Sequence, residues 1–388
     1  MAKNMTRACQ DDSFLGQNAE LYYYLCRVKR AKWSTIDDGA MLTTAAFMHF
    51  PLMMIVVLNH IYISGLRLGM GIDEFVVGSY ALSKIVGNMA VPCFFFISGY
   101  LFFRNVESLS VKLYCEKLRR RVQTLLRPYL LWNLLIIALY AIGQAVVPSL
   151  FSGANTKIAD YSLAEWAQAF WVVDKTQSPI NPPLWYIRDL MVMVVLSPIL
   201  YWLMKNRVVG ALFLCVMLAL AMVDVVPLVW LQPRYILLFG LGAWGALHGL
   251  PQLRFRGWVA LLAALVCGAG IVGFFMTKGA VQYAILQATI LVGAFLLLYL
   301  SHYVAVVRGW RVPKLLDRSY FFIYLFHYIP LALMMRVLRR VIVPTTNLEF
   351  FAIYFGSFVA IVLLSVGLFW ALQKIAPKAT AFMLGNRV

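Results

Sequence analysis

Residues 45–65 read AAFMHFPLMMIVVLNHIYISG, and this stretch decides the class of the fold. It holds no Asp, Glu, Lys or Arg, and as a helix it is long enough to cross the ~30 Å hydrocarbon core of a bilayer. Similar apolar runs recur at 85–103, 125–147, 184–204, 208–227, 235–250, 258–276, 281–304, 320–338 and 350–375. No water solvates the backbone inside lipid, so each run satisfies its own N–H and C=O groups as a helix. The expected fold is therefore an all-α, polytopic integral membrane bundle of about ten transmembrane helices.

Composition agrees. The 388 residues are 62% hydrophobic and only 13% charged, with a mean hydropathy of +0.79. A soluble domain carries about 25% charged residues. The net charge of +18 reflects Lys and Arg held on the cytosolic side, not a nucleic-acid partner. The basic clusters are Arg27, Lys29, Arg30 and Lys32 in the tail; Arg104 with Lys112 to Arg121 in the loop expected between the second and third runs; Arg308 to Arg318 in the loop between the eighth and ninth; and Lys374, Lys378 and Arg387 at the end. Placing both termini in the cytosol puts all of these inside. Arg336, Arg339 and Arg340, at the outer end of the ninth run, are the exception.

This divides the chain into a cytosolic tail (1–44), a membrane domain (45–375) and a short cytosolic end (376–388). The first forty residues are polar, with no apolar core or cleavage site of a signal peptide, and 21–32 read as an interfacial helix. Residues 148–183 form the largest outer segment, a compact loop or short interfacial helix over the outer mouth. The six cysteines show no paired or metal-type spacing, so neither a disulfide framework nor a metal site is expected.

Ionisable groups inside the spans are the informative positions, because each costs several kcal/mol unless paired or hydrated. His49 and His60 lie eleven residues apart, a turn of about 1100°, within ~20° of three full circles. They share one face, roughly 16 Å apart along the axis. With Asn59 they suggest a polar track through the bundle. The competing reading makes His60 a helix-contact hydrogen bonder and lets His49 reach interfacial water. Arg188 and Asp189, after Trp185 and Tyr186, form either a structural ion pair or a cavity wall with Trp185 as a platform for a sugar ring. Adjacent helical residues point about 100° apart, so the two are expected to use different partners. Tyr324 and His327 share a face at i, i+3. Lys117, Arg119, Arg120, Arg121 and Arg127 are either a topology anchor or a grip for phosphate. Ser98 and Gly99 read as close helix packing.

Four segments in this order resemble the membrane acyltransferase-3 family, which includes glycan O-acetyltransferases. They are FPLMMIVVLNH (50–60); VPCFFFISGYLFF (91–103) with KLRRRVQTLLRPYLLWNLL (117–135); PLWYIRDLMVMVVLSPIL (183–200); and SYFFIYLFHYIP (319–330). The resemblance implies inside termini, a multi-pass protein of a bacterial cytoplasmic membrane, and acyl transfer from acetyl-CoA or another acyl-CoA to an extracytoplasmic glycan hydroxyl. His60 matches the family's catalytic histidine. His49 stands where the family carries Arg or Lys ten residues before it, a departure that bears on donor binding. Lys117, Arg119, Arg120, Arg121 and Arg127 match its basic donor-binding region. Asp189 and His327 are further catalytic candidates; Asn59, Trp185, Tyr186, Arg188 and Tyr324 are substrate-side candidates. A transporter or flippase for a lipid-linked sugar or an anion is the rival class.

Overall fold

The structure, a computed structural model, describes residues 38–61, 74–148, 157–173, 178–223, 231–249, 256–342 and 346–386. The expected interfacial helix at 21–32 lies outside them. Helices are the regular elements, and no strand occurs among the described residues.

The first helix, α1 (Asp38–Ile61), begins earlier than the apolar run because Asp38 is not left to lipid. Its carboxylate accepts from Arg104 Nε at 2.6 Å and from Tyr100 O–H at 2.8 Å. The second span is irregular: α2 (Glu74–Tyr80), a π turn (Ala81–Val86), a 3₁₀ turn (Gly87–Met89) and α3 (Ala90–Phe103) follow one another without a loop. The basic segment expected as a loop is helical. α4 (Val111–Arg121), N-capped by Ser110, passes through a π turn (Val122–Leu126) into α5 (Arg127–Val146). The continuous helix Val111–Val146 has 36 residues, about 54 Å. This exceeds the ~30 Å hydrocarbon core, so the basic turns project beyond it.

α6 (Leu163–Ala169) lies in the long segment 148–183 and starts on a capping box of Ser162 and Glu165. The fourth and ninth runs are each broken. α7 (Trp185–Val195) and α8 (Ser197–Met204) meet at 61°, with Pro198 in the first turn of α8. α13 (Lys314–Phe326) and α14 (Tyr328–Val341) meet at 62° across His327. Between these pairs lie α9 (Arg207–Met222), α10 (Pro233–His248), α11 (Gly257–Met276) and α12 (Gly279–His302). α15 (Asn347–Ile375) opens on a capping box of Thr346 and Glu349. The last helix, α16 (Pro377–Met383), folds back on α5, where Trp132 Nε1 donates to the Met383 carbonyl.

Among the described residues, six helices are long and apolar enough to cross a membrane, or up to eight if each bent pair is one span. The protein is thus a multi-pass, all-helical membrane protein. The ten expected spans are met only in this coarser form. α9 and α10 fall on the fifth and sixth runs but have 16 residues each, about 24 Å.

Packing is closest where α3 crosses α10. A Cβ added at Gly99 would sit 2.0 Å from the Phe239 carbonyl oxygen, and one at Gly242 would sit 2.1 Å from that of Phe96. Lipid supplies no hydrophobic drive between helices, so such small-residue contacts carry the association. Gly99 therefore fulfils the packing expectation, while Ser98 turns to Tyr186, its Oγ 3.1 Å from the phenol oxygen.

Candidate active site

Residues of α1, α3, α7 and α13, with Asn88 of the 3₁₀ turn, Arg121 of α4 and the π turn before α5, line a cavity of about 320 Å³. Its wall includes His49, Asn59, His60, Arg121, Trp185, Tyr186 and Tyr324, which the sequence left far apart. The shared face of α1 is what brings His49 and His60 to one void.

At the basic end, the imidazole of His49 stacks on Tyr320, centroids 4.5 Å apart and planes within 6°. Arg121, the last residue of α4, and Thr124, in the π turn that leads into α5, line the cavity there. Arg119 and Arg120 are exposed on α4. Lys117 is engaged elsewhere: its ammonium donates to the Phe102 carbonyl at 2.6 Å and lies 5.0 Å above the Phe102 ring. It thereby satisfies one of the carbonyls left open at the end of α3. Arg127 does not line the cavity. Its guanidinium lies 4.4 Å over the Phe382 ring, and its Nε and one terminal nitrogen are buried without hydrogen-bond partners among the described residues.

At the opposite end of α1, the His60 and His327 rings face each other, centroids 5.2 Å apart. Tyr328 meets His60 edge-on at 5.3 Å. His327 is fully buried at the break between α13 and α14. Its Nδ1 lies 2.8 Å from the Ile323 carbonyl oxygen and 3.1 Å from that of Tyr324. Carbonyl oxygens only accept, so Nδ1 carries a proton. In the neutral ring Nε2 then holds the lone pair, and that buried atom has no hydrogen-bond partner among the described residues.

The chain carries polar groups here that the sequence reading passed over. Lys84 Nζ donates to the backbone oxygen of Asn59 at 3.1 Å and to its Oδ1 at 3.3 Å. Asn59 Nδ2 donates to Asn88 Oδ1 at 3.1 Å, and Asn88 Nδ2 returns a bond to the Lys84 carbonyl at 2.6 Å. A Cβ at Gly87 would stand 2.7 Å from the Asn59 Cβ, so only glycine lets the turn come this near. The π turn, with its extra residue per turn, and the 3₁₀ turn after it thus present Lys84 and Asn88 to the residue beside His60. The signal was a lone Lys four residues before an Asn at the head of an apolar run, which reads as an ordinary interfacial pair.

Arg188 and Asp189 do not line the cavity, and the expectation of separate partners is corrected. Arg188 Nε and one terminal nitrogen bond Asp189 Oδ1 at 2.9 and 2.8 Å, both residues being 1% exposed. The long Arg side chain folds back far enough to overcome the 100° offset. Its other terminal nitrogen donates to the Trp171 carbonyl at 2.5 Å. The pair ties Trp171, in the segment before α7, to that helix, whose first residues, Trp185 and Tyr186, line the cavity. Tyr324 O–H donates to the Pro183 carbonyl at 2.5 Å, clamping the same entry to α7 from α13.

One cavity is thus lined by His60, whose ring meets that of the buried His327, at one end and by Arg121 at the other. The profile described as acyltransferase domain, that of the acyltransferase-3 family, matches residues 51–370. The chain belongs to this family. It is also similar to the succinoglycan biosynthesis protein ExoH of Rhizobium meliloti (strain 1021), 25% identical over 324 residues, covering 79% of this chain and 81% of that protein. No solved structure matches significantly.

Proposed function

We propose that the protein moves an acyl group, acetyl in the simplest case, from cytosolic acyl-CoA to a glycan hydroxyl beyond the cytoplasmic membrane. The observation that carries this reading is one cavity whose wall includes both Arg121, at the basic end, and His60, at the far end of α1. Kinship with a succinoglycan biosynthesis protein supports a polysaccharide acceptor.

In this reading the exposed Arg119 and Arg120, with Arg121, meet the CoA phosphates, since guanidinium binds phosphate by paired hydrogen bonds. Lys117 adds charge while holding the end of α3, and Arg127 offers unused donors beside them. The acyl arm runs along α1 past His49. At the far end, neutral His60 accepts the proton of the acceptor hydroxyl as its oxygen attacks the thioester carbonyl. The carbon–sulfur bond breaks, and CoA leaves as a thiol with the proton that His60 held. His327 faces His60 as a second proton acceptor. Asn59 is held by Lys84 and Asn88 to bond the acceptor or the developing oxyanion. Trp185, Tyr186 and Tyr324 position the sugar, and Asp189 acts through Arg188 as a positioning residue.

Purified protein in lipid nanodiscs, given acetyl-CoA and surface glycan, should release free thiol and acetylate the glycan. His60→Ala should lower both by roughly 10²–10⁴-fold at unchanged yield and thermal stability. Full activity in that variant would sink the assignment. Movement of a glycan lipid across the bilayer without thiol release would place the protein in the transport class instead.

A further inference from the structure

We propose that a second groove, between α5 and α14, holds the lipid phosphate carrier of the acceptor, so that the glycan arrives sideways from the bilayer. The proposal rests on the acyl-transfer reading and names the form of its acceptor.

The groove has a volume of about 310 Å³, with Leu139, Gly143, Ala332 and Leu333 in an apolar lining that also includes Tyr328 and Arg336. Leu139, Val146 and Leu333 are exposed, which in a bundle of apolar helices means exposed to lipid. α5 starts beside the basic cluster, and the groove occupies its second half, from Ile136 to Val147. It therefore opens at the membrane end opposite the arginines expected to take CoA.

Any such cleft in a bilayer receives hydrocarbon; three features specify more. The first is charge. Arg336 is an exposed cation in the groove wall, and Arg339 and Arg340 follow on the same helix. Cations at this end run against the positive-inside pattern, and a charge at the membrane boundary favours an anionic headgroup. The second is proximity. Tyr328 lines the groove with one side and meets the His60 ring at 5.3 Å with another. Ile180 lines the groove, and Pro183, three residues on, lines the central cavity. Tyr328 therefore stands between the groove and the His60 ring of the central cavity. The third is direction. The 62° bend at His327 turns α14 off the axis of α13, so the helix that bears Arg336 begins beside the reacting histidines.

A long isoprenoid chain would lie along Leu139, Gly143, Ala332 and Leu333, with its phosphate against Arg336. The sugar on that phosphate would then reach over Tyr328 toward His60. A free polysaccharide has no use for the groove, and a neutral lipid has none for Arg336.

The test is photocrosslinking of a diazirine-labelled polyprenyl phosphate to the full-length protein in phosphatidylcholine nanodiscs, mapped by mass spectrometry. Label should fall on 139–147 and 328–336. Unlabelled polyprenyl phosphate should compete; polyprenol and phosphatidylglycerol should not. Arg336→Glu, which reverses the charge, and Ala332→Trp, which fills the groove, should each cut labelling about tenfold in protein that remains monodisperse. Labelling indifferent to both variants, or equal competition by phosphatidylglycerol, would overturn the proposal and mark the groove as filled by ordinary boundary lipid. Crosslinking needs no chemistry, so it reads the groove even if thiol release fails, and thiol release tests the transfer reading apart from it.

Discussion

The two ends of the central cavity are built by opposite means. At the basic end, Arg119, Arg120 and Arg121 ride on a helix that outruns the bilayer, and the first two stand in solvent. Their charges are hydrated, screened and redundant. At the other end, few polar atoms share a space walled by apolar side chains, and several are held by one or two named neighbours. Lys84 is spent on Asn59, Asn59 on Asn88, and the His327 Nδ1–H on two carbonyls. In low dielectric a lost partner is not replaced by water. Substitutions at the basic end should therefore act in graded steps on donor binding, whereas those at the histidine end should act sharply on turnover.

The largest effect after His60 itself is expected at His327. His327→Ala removes the ring facing His60 and opens a hole at the α13–α14 break, and glycan acetylation should fall by about 10²-fold or more. His327→Gln keeps a donor to the same carbonyls and fills much of the volume. If the Gln variant turns over as slowly as the Ala variant while folding normally, His327 transfers protons. If Gln restores the rate, the residue serves to hold the break, and the proton chemistry belongs to His60 alone.

Lys84→Met comes next. It leaves the backbone oxygen and Oδ1 of Asn59 without their ammonium, in a site where an unmet polar group costs about 1–3 kcal/mol. The expected result is a fall in kcat of roughly tenfold with little change in the KM for acetyl-CoA, since the proposed site for the donor phosphates is at the other end. A rise in KM with unchanged kcat would erase the contrast between the two ends at this residue.

These residues also mark how far the sequence was legible. The helical class, the apolar runs and the joint face of His49 and His60 follow from composition and from 3.6-residue geometry, which lipid enforces strictly. What escaped depends on departures from that geometry. The π turn at 81–86 admits an extra residue and swings Lys84 to α1, and nothing in YALSKIVGNM announces it. The breaks at Leu196 and His327 turn two expected spans into bent pairs, although Pro198 and Pro330 stood in view. The mutual pairing of Arg188 and Asp189 arises from side-chain reach, which backbone angles do not encode. The basic segment, read as a loop between spans, has the same charges but a helix beneath them, and that helix sets Arg121 against the cavity.

At the basic end, Arg121→Gln should raise the KM for acetyl-CoA more than Arg119→Gln, because only Arg121 also lines the cavity. A severalfold rise for the first and less than about twofold for the second fits partly buried against solvated charge. Both effects should shrink as salt is raised. Equal, salt-insensitive losses in kcat would contradict a donor-binding role.

The smallest effect, and the sharpest test of the comparison, is a gain. His49 stands where the family carries a fixed cation, and it stacks flat on Tyr320 at 4.5 Å. A guanidinium also stacks on aromatic rings, so His49→Arg can keep that contact while adding a permanent charge above the basic cluster. The KM for acetyl-CoA should fall by a few-fold at neutral pH. The advantage should shrink as salt is raised, because mobile ions screen the added charge from the donor. Measuring KM against ionic strength for the two proteins separates this from a simple packing effect, which would leave the ratio of the two constants fixed. An unaltered KM at every ionic strength would mean that the donor does not pass His49. The path along α1 would then have to be redrawn through the opposite wall of the cavity, past Trp185 and Leu190.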